Sequence, residues 1–157
     1  MKITLLTIGK TSSAYLTTGI DDYLSRVKHF ADLQLVCLPD VKNARNLTAA
    51  QQKQAEGKII LDAIEPSDHV VLLDERGKQA SSAEFATMLQ KRMASGLKRL
   101  VFVIGGPYGF DQAVYDRADG LLSLSKMTFS HEMVRLFFVE QIYRAFTIIN
   151  HLPYHHE

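Results

Sequence analysis

The chain has a single cysteine, Cys37, in 157 residues, so no disulfide can form within it and a cysteine-based zinc site is excluded. Neither sign of charge dominates. Eighteen Lys and Arg stand against 17 Asp and Glu, and the net charge of +1 offers no bulk field for nucleic acid. Any contact with RNA must come from a local patch or from a surface assembled by two chains. No apolar run approaches the ~18 residues of a membrane span. The apolar start, Met1 to Ile8, is too short for a signal h-region and has no small-residue cleavage site, so a reduced cytoplasm is the expected compartment. Internal repeats, low-complexity tracts and linkers are also missing, and residues 1–157 read as one domain.

What is present is an alternation of short apolar runs with amphipathic stretches. Ile3 to Ile8, Leu33 to Leu38, Val70 to Leu73, Leu100 to Ile104 and Leu121 to Leu124 read as strands. Cys37 falls inside the second and reads as a small core residue. Between the strands lie helical patterns. Leu16, Ile20, Tyr23, Leu24 and Val27 follow a cap at Ser12 or Ser13, and Ile59, Ile60, Ala63 and Ile64 follow the capping box Thr48-x-x-Gln51. Phe85, Met88, Leu89 and Met93 follow a second box, Ser81-x-x-Glu84. Five such alternations predict an α/β fold with a mostly parallel sheet and helices on both faces.

The central stretch is Leu100 to Gly109, five large apolar residues that end in Gly-Gly-Pro-Tyr-Gly. The run reads as a strand buried on both faces, and Gly105, Gly106 and Gly109 let a ligand lie against the main chain. Asp111 is a plausible cap for the short helix that follows. The turn lacks both the G-x-G-x-x-G spacing and the Gly-Lys-Ser/Thr ending of a P-loop. With a parallel sheet, this turn, the loop Asp74 to Gly77 and the segment Leu124 to Phe129 meet at strand carboxyl ends and form one crevice. Its lining reads as backbone amides, small residues and apolar side chains with few fixed charges, which suits an adenosine-like ligand.

A last helix from about His131 to Asn150 carries apolar residues around nearly its whole circumference. Such a helix must be buried all round, and its outer side is expected to pack on a second copy of the chain. The terminus His151-Leu-Pro-Tyr-His-His-Glu157 has no zinc spacing, and no metal is expected there. Folded over the crevice, Tyr154, His155 and His156 could stack on a base, contact phosphate or move a proton, with His131 and Arg135 facing the same region.

Over essentially its whole length the chain resembles the ribosomal RNA large subunit methyltransferase H family, of the SPOUT class. The residues that carry the resemblance are MKITLLTIGK at the start, LLDERGK at Leu72 to Lys78, VIGGPYG at Val103 to Gly109, the stretch Leu122 to Phe146, and the terminal NHLPYHHE. The resemblance implies a homodimer with a C-terminal trefoil knot that binds S-adenosylmethionine. Leu73, Gly105, Leu124, Ser125, Lys126, Met127, Thr128 and Phe129 match the cofactor-binding positions, and Gly106 and Gly109 complete the glycine turn. The implied reaction is methylation of N3 of a pseudouridine in 23S rRNA on assembled ribosomes. His155 or Tyr154, or the tail together with Arg135 or Arg144, is expected to orient the base and assist loss of its N3 proton. Near the end of the chain the sequence has His156 in place of the fixed cation that Arg or Lys would supply. The alternative is a non-catalytic dimer of the same fold that binds RNA or the ribosome, and cofactor binding separates the two.

Overall fold

The computed structural model describes residues 1–156. Five strands, β1 (Lys2–Ile8), β2 (Asp32–Leu38), β3 (His69–Gln79), β4 (Arg99–Ile104) and β5 (Gly120–Ser123), form one sheet in the order β2-β1-β4-β3-β5. Every pairing is parallel. The helices α1 (Ala14–Val27), α2 (Ala49–Asp62), α3 (Ser82–Ala94), α4 (Gln112–Arg117) and α5 (Met133–Ile149) connect them.

The central strand explains the layering. Successive side chains of β4 point to opposite faces. Leu100, Phe102 and Ile104 join α1, α3 and α5 in one core, and Val101 and Val103 join α2 and α4 in the other. A strand covered on both sides has no use for polar residues, hence the unbroken apolar run. Both capping boxes form as read, with Thr48 accepting from the Gln51 amide and Ser81 from the Glu84 amide. Asp111 occupies the N-cap of α4, without a side-chain bond. Glu157 lies outside the described residues. No helix among the described residues is long and apolar enough to cross a membrane.

Three local expectations are corrected. Cys37 is exposed, because β2 is an edge strand and only its last residue, Leu38, is buried. Met93, read as part of the apolar stripe of α3, is 40% exposed near the end of that helix. The segment Asp74 to Gly77 is part of β3 rather than a loop beyond it. There the pairing with β5 slips, so that Leu73 and Lys78 both face Leu122. A Cβ on Gly77 would lie 2.6 Å from the Leu122 backbone nitrogen, so only glycine lets the two strands pass this closely. The helix α5 packs against both α1 and α3, with Phe138, Val139, Ile142 and Ala145 fully enclosed, while Val134, Leu136, Tyr143, Ile148 and Ile149 stay half-buried. Its aromatic residue left outside is Phe137, 43% exposed and 5.1 Å from the ring of Phe129.

Candidate functional site

The carboxyl ends of β3, β4 and β5 open into a cleft of about 670 Å³. That volume suits a nucleoside-sized ligand. Leu73, Gly105, Gly106, Gly109, Leu124, Ser125, Met127, Thr128 and Phe129 all line it, whereas Lys126 does not. Strand β3, the glycine turn after β4 and the loop after β5 thus converge on one cleft.

The glycine turn is shaped by close approaches. The Gly109 amide donates to the Gly106 carbonyl at 3.2 Å, and Gly109 sits at φ +83°, a backbone region costly for residues with a Cβ. A Cβ on Gly105 would lie 3.0 Å from the Phe110 ring. On the opposite wall the 124–129 segment braces itself. Ser123 Oγ donates to the Ser125 carbonyl at 2.9 Å, and Ser125 Oγ accepts from the Met127 amide at 3.0 Å.

The lining holds more charge than the sequence reading allowed, because the extension of β3 carries Asp74, Glu75 and Arg76 along the cleft and α2 adds Lys53. Tyr115 of α4, which the sequence reading missed, donates its hydroxyl to Asp74. Burial first, and Asp74 second, push the Tyr115 phenol up, so it stays protonated. Arg76 lies over the Tyr115 ring at 4.8 Å. A helix as short as α4 has no periodicity from which the role of Tyr115 could be read.

Arg135 does not face the cleft or the tail as expected. It is 1% exposed, and its guanidinium donates to the carbonyls of Ile8 at 2.8 Å and Gly9 at 2.9 Å and to Thr11 Oγ1 at 3.1 Å. Glu132, one turn earlier, accepts from the Ser12 amide at 2.6 Å and from Ser12 Oγ at 2.8 Å. Together they bolt the start of α5 to the β1–α1 loop. Burial pushes the Arg135 guanidinium down, but an arginine remains charged at neutral pH. His131, by contrast, does line the cleft.

The C-terminal tail docks at the other end of α5. The Tyr154 hydroxyl donates to Glu140 Oε1 at 2.9 Å and lies 3.2 Å from the Tyr23 hydroxyl, and its ring meets Tyr143 edge-on. Burial, Tyr23 and Glu140 all push the Tyr154 phenol up, which makes it a donor rather than a proton acceptor. Arg144 pairs with Glu140 at 2.6 Å and approaches His155 Nδ1 at 3.1 Å. A guanidinium can only donate, so Nδ1 accepts and the neutral ring carries its proton on Nε2. Tyr154 meets α5 at Glu140, six helical residues or about 9 Å from Val134, and none of the described tail residues lines the cleft. Within one chain, cleft and tail stay apart.

Residues 1–155 match the family model described as predicted SPOUT methyltransferase. A protein of Parabacteroides distasonis named ribosomal RNA large subunit methyltransferase H is 55% identical over 157 residues, all of both chains. A protein of the same name from Christiangramia forsetii is 56% identical over 156 residues, 99% of each. Among solved structures, a probable methyltransferase from Bordetella pertussis covers 92% of this chain and 94% of its own with TM-score 0.59 at 11% identity, a likeness of fold. A five-stranded parallel sheet whose glycine turn and neighbouring loops enclose a nucleoside-sized cleft, matched along its length, places this chain in the SPOUT methyltransferase family, with the C-terminal knot of that class.

Proposed function

We propose that the chain transfers a methyl group from S-adenosylmethionine to N3 of a pseudouridine in 23S rRNA of the assembled ribosome. The reading is supported most directly by the convergence of Leu73, Gly105 and the 124–129 loop on one cleft. The cleft also fits such a ligand in kind. Apolar walls at Leu73, Ile104, Leu122, Leu124 and Val134 suit a purine, while the turn brings bare backbone to the ligand. The exposed Glu75 carboxylate in the lining is an acceptor for ribose hydroxyls.

When bound, the cofactor supplies an electrophilic methyl on sulfonium. The protein's task is then to hold base and donor in line, worth up to ~7–11 kcal/mol of barrier. Leu124 to Phe129 and the glycine turn fix the donor and exclude water. Arg135 and Glu132 set the position of α5, and with it of His131 and Val134 in the cleft wall. Tyr154 and His155 of the tail are the residues proposed to orient the base.

Because cleft and tail lie apart within a chain, the proposed working unit is a homodimer in which the tail of one copy completes the cleft of the other. The exposed Phe129 and Phe137 pair, beside Met127 at 78% exposure, gives such a contact an apolar seat.

The test is incubation with methyl-labelled S-adenosylmethionine and ribosomes from cells lacking this protein, with the label mapped by mass spectrometry of rRNA fragments. One methyl on a single pseudouridine is expected. No incorporation by folded, dimeric protein overturns the reading in favour of a binding module.

A further inference from the structure

Beneath the glycine turn lies an acid that neither the sequence reading nor the proposed reaction uses. Glu56, on α2, is 3% exposed. Its Oε2 accepts a single bond, from Gln52 Nε2 at 3.3 Å, and Oε1 has no hydrogen-bond partner among the described residues. The carboxyl lies flat against Gly106. A Cβ added there would lie 2.5 Å from Oε2, 2.6 Å from Oε1 and 2.9 Å from the carboxyl carbon. So tight an approach, by a group that is expensive to bury, calls for a physical reason.

The turn has two supports from below. The Phe110 ring closes on Gly105, and the Glu56 carboxyl closes on Gly106. We propose that Glu56 is a positioning residue of the cofactor cleft: its carboxyl fills the space under Gly106 and sets the height at which the 105–109 backbone meets the cofactor. This rests on the cofactor reading of the cleft given above. It also gives Gly106 a reason of its own, since any side chain at that position would have to displace the enclosed carboxyl.

The carboxyl acts through its shape, and its surroundings shift it toward the neutral acid. Burial is the largest influence on it and favours the protonated acid; the bond from Gln52 opposes this. Of the charged groups that act on it, Asp40 from the loop after β2 favours the neutral acid and His131 from the loop before α5 favours the ion.

Calorimetric titration of the full chain with S-adenosylmethionine, and hydrogen exchange of the 105–110 amides without it, test the proposal. Glu56→Gln keeps the shape, and its Kd is expected within about two-fold of the parent. Glu56→Ala is expected to raise Kd at least about ten-fold and to speed exchange of the Gly109 amide, with the far-UV circular dichroism unchanged. Gly106→Ala is expected to weaken binding, and adding Glu56→Ala to restore part of it by vacating the space. Should Glu56→Ala fail to fold, Glu56→Asp replaces it, with the same direction expected. Unchanged affinity in Glu56→Ala, or equal losses in the Ala and Gln variants, overturns the proposal. If the parent protein binds no S-adenosylmethionine, the cofactor reading fails instead. Exchange at Gly109 then decides by itself whether Glu56 supports the turn.

Discussion

Replacing Arg135 with alanine separates a structural account of this residue from a chemical one. Its guanidinium holds the carbonyls of Ile8 and Gly9 and the hydroxyl of Thr11 in a site 1% exposed. Truncation removes those charge-assisted bonds, and the one from Nε to the His131 carbonyl, and leaves three backbone oxygens short of a donor, each costing ~1–3 kcal/mol. The side-chain volume adds a cavity. A total of ~3–5 kcal/mol follows, a large part of the ~5–15 kcal/mol that a domain of this kind has. With a urea slope of ~2 kcal/mol/M, the unfolding midpoint should fall by ~1.5–2.5 M. Arg135→Lys keeps the charge without the planar fork and should fall between the two. Equilibrium urea unfolding followed by circular dichroism reads all three. An Arg135→Ala protein with the parent midpoint and no methyl transfer would refute this reasoning and return Arg135 to direct contact with the substrate.

Other outcomes follow from the same geometry. Two bonds from Ser12 lower the Glu132 carboxyl below the ordinary glutamate range, so its contribution to stability is present above about pH 4.3 and is lost as pH falls through the lowered value. The unfolding midpoints of the parent and Glu132→Gln should therefore converge in acid. Glu56 runs the other way. Its raised value leaves the folded state unpenalised below about pH 4.3 and weakens it as pH climbs from there toward the raised value, so Glu56→Gln should gain on the parent over that rise in the same assay. Deleting residues 152–157 should abolish methyl transfer while S-adenosylmethionine affinity stays within about two-fold, as read by calorimetry. Cys37, exposed on the edge strand, should react with a thiol reagent in the native protein, whereas a core thiol would react only on unfolding.

The fold was legible where one force decides the outcome. The apolar run Leu100 to Ile104 can only be a doubly covered strand, and the boxes at Thr48 and Ser81 mark helix starts through purely local bonds. Reading failed where the outcome depends on neighbours. The position of β2 at the sheet edge, which exposes Cys37, follows from strand order and not from the composition of β2. The continuation of β3 through Asp74 to Gly77 depends on the pairing that β5 offers nearly fifty residues later. An arginine at helical spacing looks the same whether it faces solvent or carbonyls, and only the approach of Ile8 and Gly9 identifies Arg135 as interior. Most of the cleft lining was legible because it is made by glycines and strand ends. Tyr115, Lys53 and Glu56 were not, since each reaches its place from a helix on the far face of the sheet.

The central claim is that S-adenosylmethionine binds in the cleft at the carboxyl ends of β3, β4 and β5. Titrating the isotopically labelled protein with this cofactor and following the backbone amide resonances tests it most directly. The account predicts saturable shifts concentrated at Leu73, residues 105–109 and residues 124–129. Saturable binding with shifts elsewhere, or none at millimolar cofactor, would contradict it.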